Sequence, residues 1–183
     1  MKKKKTTGFG TYSLRYLALG LLMKGPNHGY QLDQTLEEVF GMIWKAGQTK
    51  LYLTLSDLEK GGLLTTETEH QEKRPDRKIY HLNERGREIF LEWVQQPVSS
   101  LRAARVELLA KLRFYQWLEL PGVETLIQAQ IGIFQIMIEE WLADQQQERD
   151  PFIRQVFEFR IRQARFINSW LADYAKPGPL NGS

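Results

Sequence analysis

Between Gly61 and Phe90 the apolar period of the chain changes, and this change limits the possible folds more than any other feature. Upstream, Leu51, Leu55 and Leu58 recur at helical spacing until Gly61–Gly62 ends the run. LLTTETEH and KIYHL then alternate in the manner of strands, with QEKRPDR between them holding charge and a proline. Residues three and four apart share a face of a helix, whereas successive strand side chains point to opposite faces, so the two patterns cannot belong to one element. The simplest reading is a β-hairpin with a long, exposed, basic tip. Asn83 is placed to cap a following helix, whose apolar side carries Ile89, Phe90, Trp93 and Val94 and which runs to about Gln96 before Pro97 closes it.

Three helices precede the hairpin. Leu14, Leu17, Ala18, Leu21 and Leu22 form the stripe of the first, which Gly25–Pro26 stops. Asn27 is expected to cap the second, with Tyr30, Leu32, Leu36, Val39 and Phe40 apolar and Gly41 at its end. The third fits Gln48 to Lys60, with Gln48, Thr49, Lys50, Tyr52 and Thr54 largely off its inner leucine stripe. Three helices, a hairpin and a further helix make about 97 residues, enough for a core. Their order is that of a winged helix-turn-helix, in which the third helix enters the major groove and the hairpin tip reaches the flanking backbone or minor groove. On that reading Gln48, Thr49, Lys50 and Thr54 face base edges, and Lys73, Arg74, Arg77 and Lys78 neutralise phosphates. His28, at the start of the second helix, is a further candidate for a phosphate contact.

Past residue 98 the pattern is helical throughout. Ile127, Ile131, Phe134, Ile138 and Trp141 follow a heptad-like spacing, widened by Leu126, Ile133 and Met137. After Asp150–Pro151, one stripe holds Ile153, Phe157, Ile161, Ala164, Ile167 or Asn168, Leu171 and Tyr174, and a second holds Phe159, Phe166 and Trp170. Two stripes on one helix imply two partners, and a two-fold dimer would cover the apolar surface that an isolated helix pair leaves bare. The expected fold is therefore mainly α with a small β-hairpin: a winged helix-turn-helix DNA-binding domain over 1–97 and an α-helical dimerisation domain over 98–183.

Composition excludes several functions. The 183 residues include no cysteine, which removes disulfides, thiolate metal sites and a cysteine nucleophile. His28, His70 and His81 lie in separate elements without metal-ligand spacing, and no phosphate loop or nucleophile elbow appears, so neither an enzyme nor a metal or cofactor is expected. Glu139–Glu140 does not change this, because adjacent helix positions diverge by about 100°. No run reaches the roughly 18 apolar residues of a membrane span, and MKKKKTTGFG is not followed by a cleavage pattern, so a cytoplasmic protein is expected. A net charge of +3 makes no case for nucleic acid by itself; the clustering at Lys2–Lys5, Lys73–Lys78 and Arg160–Arg165 matters more.

LALGLLMKGPNHGYQLDQTLEE, KLYLTLSDLEKGGLL and RPDRKIYHLNERGREIF together resemble the DNA-binding domain of the PadR family of bacterial transcriptional regulators, in order and spacing over most of residues 14 to 90. Leu53 stands where that family usually has proline, and Asn83 replaces its usual threonine cap. VELLAKLRFY is similar to the family's first C-terminal helix. The resemblance implies a homodimeric repressor on a pseudo-palindromic operator in double-stranded DNA, with Tyr52 both packing and touching phosphate. It also implies release by a small aromatic or drug-like effector, for which Trp93, Phe114, Tyr115, Trp117 and Phe134 are the candidate residues. A winged-helix protein-interaction module without a DNA role is the alternative, and the four charges of the tip weigh against it.

Overall fold

The leucine stripe of the first helix is the centre on which the N-terminal elements assemble. A computed structural model describes residues 9–70 and 77–176. Helix α1 (Phe9–Leu21) and a 3₁₀ turn (Leu22–Lys24) lead to a short strand β1 (Asn27–His28), then α2 (Gly29–Phe40) and α3 (Gln48–Lys60). Strands β2 (Leu64–Glu69) and β3 (Arg77–Leu82) follow, then α4 (Glu84–Gln95). Leu14, Leu17, Leu32, Leu51 and Leu55 are fully buried, so the three helical stripes meet in one core.

The hairpin is joined by a third strand. The sheet order is β1-β3-β2, all antiparallel, with Asn27 opposite Tyr80 and His28 opposite Ile79. Asn27 is thus a strand residue: α2 begins at Gly29 with His28 in the N-cap position, and the Asn27 Oδ1 accepts from the His28 amide at 2.9 Å. Asn83 does cap α4, accepting from the Gly86 amide at 2.9 Å while its Nδ2 donates to the Gly62 carbonyl at 2.9 Å. One side chain therefore ties the start of α4 to the end of α3. Gly86 is required there, because a Cβ would lie 2.4 Å from the Leu63 carbonyl oxygen.

The C-terminal part begins with a helical stretch made of α5 (Leu101–Ala103), a π-helical segment (Ala104–Leu108) and α6 (Leu109–Trp117), followed by the long helices α7 (Val123–Gln147) and α8 (Pro151–Tyr174). The chain forms two compact units whose boundary differs from the expected division at 97/98. Leu109–Leu120 joins the described residues up to Val94, and Gln95–Leu108 joins those from Pro121 onward. Packing accounts for both exchanges. In the first unit Phe114 is fully enclosed, its ring 4.6 Å from Phe40 and 5.0 Å from Phe90. Gly20 makes room for it: a Cβ there would approach Phe114 to 2.4 Å. In the second unit the buried Gln130 side chain accepts from the Val98 amide at 2.7 Å and donates to the Val98 carbonyl at 2.9 Å, so one side chain satisfies both backbone polar groups of that residue.

Helix α8 starts where Asp150–Pro151 directs it, with the Asp150 carboxylate accepting from the Phe152 and Ile153 amides and Pro151 in the first turn. Ile161, Ala164 and Leu171 are buried, as are Leu126, Ile127 and Phe134 of α7. On the opposite side of α8, Phe152, Phe159, Phe166 and Trp170 are exposed. At 100° per residue these four fall within about 40° of one another. Of the two stripes expected from the sequence, the first is buried at Ile161, Ala164 and Leu171 but exposed at Ile153, and the second is bare.

Candidate nucleic-acid interface

Helix α3 sorts its residues sharply. Leu51, Leu55 and Leu58 are buried, while Gln48, Thr49, Lys50, Tyr52 and Leu53 are exposed. Thr54 is a correction to the expected outward set: it is 7% exposed and its Oγ1 donates to the Lys50 carbonyl at 2.8 Å. The reason is local, since a threonine one turn from Leu58 can pack its methyl inward and return its hydroxyl to the preceding turn.

Tyr52 borders the start of α2. Its ring lies so close to Gly29 that a Cβ there would meet Cε1 at 2.5 Å, so glycine is what lets the ring rest on the backbone. His28, Tyr30, Gln31, Tyr52, Arg77 and Tyr80 line a concavity of about 800 Å³ together with Glu69 and Lys78. Burial, then the Glu59 charge, raises the Tyr80 phenol above its ordinary range. Tyr30 and Gln31 were not among the sequence candidates, although a Gly-Tyr-Gln start to a helix puts both in its exposed first turn.

Charges on the sheet are not equally free. Glu59 accepts from Thr66 Oγ1 at 2.6 Å and pairs with Lys78 Nζ at 3.3 Å. The Thr66 hydrogen bond, followed by Lys78, holds its carboxyl below the usual range. Lys78 is thereby engaged within the protein. His28 Nε2 lies 3.7 Å from Glu69, and His81 Nε2 3.6 Å from Glu67, so β1 and β3 each present a histidine to a β2 glutamate. Arg77 is exposed opposite Glu69. Lys73 and Arg74 lie outside the described residues.

The aromatic candidates divide between the two units. Trp93, Phe114, Tyr115 and Trp117 are in the first, where Trp93 stacks on Tyr16 at 4.8 Å and Phe114 contacts Trp93 and Trp117 edge-on or tilted. Phe134 is fully buried in the second. Trp93, Phe114 and Tyr115 are core residues by burial. Among the described residues no group of three or more His, Asp or Glu is placed to hold a metal ion, and no helix is long and apolar enough to cross a membrane.

Residues 18–92 match the Transcriptional regulator PadR-like family. The Negative transcriptional regulator PadR of Bacillus subtilis is 32% identical over 87 residues, 46% of this chain and 48% of that protein. The Probable transcriptional regulator Rv1176c of Mycobacterium tuberculosis is 29% identical over 93 residues, 51% of this chain and 49% of that protein. The chain thus spans about half the length of the curated relatives it matches. A crystal structure of Bacillus subtilis PadR in complex with operator DNA aligns with a TM-score of 0.47 and 22% identity, covering 88% of this chain and 95% of that one. The likeness to a family of transcriptional regulators thus lies in residues 18–92.

Proposed function

We propose that the protein is a DNA-binding transcriptional regulator that acts as a homodimer and represses by occupying a pseudo-palindromic operator. The observation that carries the DNA role is the exposed, hydrogen-bonding face at the start of α3, Gln48–Thr49–Lys50, beside a concavity edged by His28, Tyr52 and Arg77. Base edges in the major groove are read by such side chains, while cations around them fix position on phosphates. The bare Phe152–Phe159–Phe166–Trp170 stripe supports the dimer, since a second copy would bury it. Two copies then meet half-sites about one helical turn, or a multiple of it, apart. Release by a small aromatic effector is proposed on the family resemblance alone.

Fluorescence anisotropy on a duplex selected from a random library, against an unselected duplex, tests this reading. The Arg74→Ala/Arg77→Ala variant is expected to weaken both duplexes by similar factors and to lose about 0.9 in log–log salt slope per phosphate contact removed. Lys50→Ala is expected instead to narrow the gap between them, by about 1–3 kcal/mol for one good base contact. A wild-type protein that binds no duplex overturns the proposal.

A further inference from the structure

The centre of the outward face of α3 is occupied by a leucine. Taking 100° per residue, the buried Leu51, Leu55 and Leu58 lie 140–200° around the helix axis from Leu53. Leu53 is therefore diametrically opposite the stripe that anchors the helix. Its side chain is 63% exposed. Thr49 and Lys50 flank it one turn earlier and Asp57 one turn later, all exposed. The chain thus holds a branched apolar group at the apex of a face whose other members are polar.

We infer that Leu53 is a specificity-determining residue that recognises the C5-methyl group of a thymine in the major groove; this rests on the DNA-binding reading above. When a helix lies in the groove with its anchored stripe outward, the residue opposite that stripe points at the groove floor. The floor offers hydrogen-bonding atoms on every base, which leucine cannot engage, and one apolar feature, the thymine methyl. Phosphates are no alternative partner, because Leu53 carries no donor and the neighbouring Asp57 carboxylate repels them. Seated against guanine O6 or cytosine N4, Leu53 would strip a polar atom of water and return nothing. Seated against a methyl, it removes apolar surface from water on both sides. Leu53 therefore selects for thymine at one position of each half-site, independently of the hydrogen bonds made by Gln48, Thr49 and Lys50.

The test replaces each thymine of the selected duplex in turn by deoxyuridine, which lacks only the methyl, and measures affinity by anisotropy for wild type, Leu53→Ala and Leu53→Met. Wild type is expected to lose about fourfold at one thymine per half-site, the loss for one buried carbon group. Leu53→Ala should be insensitive to that replacement, and Leu53→Met should retain it. Because Leu53 is exposed, both variants are expected to unfold at the wild-type temperature. Wild type that binds the duplex but tolerates deoxyuridine everywhere overturns the inference and leaves DNA binding standing, as does a Leu53→Ala variant as sensitive as wild type. Absence of any duplex binding overturns both.

Discussion

The two compact units treat their phenylalanine and tryptophan rings in different ways. The first gathers Phe40, Phe90, Trp93 and Phe114 into one cluster and hides them, with Phe114 touching the other three. The second keeps Phe134 inside but leaves Phe152, Phe159, Phe166 and Trp170 along one exposed face of α8. Aromatic side chains carry large apolar area, so a cluster that buries them is a finished core, whereas a face that bares them leaves that area to water. The difference assigns distinct roles to residues of the same type. In the first unit the clustered rings hold the fold; in the second, on the proposed dimer, the exposed rings of α8 hold the assembly.

Truncating a core ring should give the largest effect. Phe114→Ala removes the ring that three others surround, and a loss of about 3–5 kcal/mol of unfolding free energy is expected. Chemical denaturation followed by tryptophan fluorescence reads it, since Trp93 and Trp117 both neighbour the ring. Phe159→Ser should do the reverse. Thermal unfolding of the isolated chain should hardly change, while sedimentation equilibrium should show the dimer weakened by about 2 kcal/mol, or about thirtyfold in Kd. If Phe159→Ser destabilised the fold and left the dimer intact, the contrast between the units would collapse.

Much of this organisation was legible in local pattern. The change of period around Gly61, the Asn83 cap and the Asp150–Pro151 start all act over a few residues, and each lies where its chemistry requires. What escaped depended on distant partners. Strand β1 is two residues long and exists only because β3, some fifty residues on, offers Tyr80 and Ile79 to pair with. The return of Leu109–Leu120 to the first unit needs Phe114 to find Phe40 and Phe90, which no periodicity announces. Within the candidate interface, exposure of Gln48, Thr49 and Lys50 followed from the leucine stripe. Inward Thr54 and outward Leu53 did not follow from residue type, because threonine usually reads as polar surface and leucine as core; only the helical angle separates them.

The smallest expected effect concerns Glu59, which couples the first unit's fold to its proposed DNA role. Its carboxylate accepts from Thr66 and pairs with Lys78, and its folded pKa is lowered below the reference of 4.5. A lowered carboxylate contributes stability that is full above the unfolded value and is lost as pH falls through the folded one. Glu59→Gln should therefore flatten the acid side of the stability profile below about pH 4.5 and leave neutral stability changed by less than about 1 kcal/mol, as for other partly exposed pairs. DNA binding should move the other way. With Glu59 neutral, the Lys78 ammonium is released to a phosphate, so affinity for selected and unselected duplexes should rise together and the salt slope should steepen by up to about 0.9. A Glu59→Gln protein with an unchanged salt slope would mean that Lys78 stays within the fold on DNA, and would leave Arg77 as the described wing cation for the backbone.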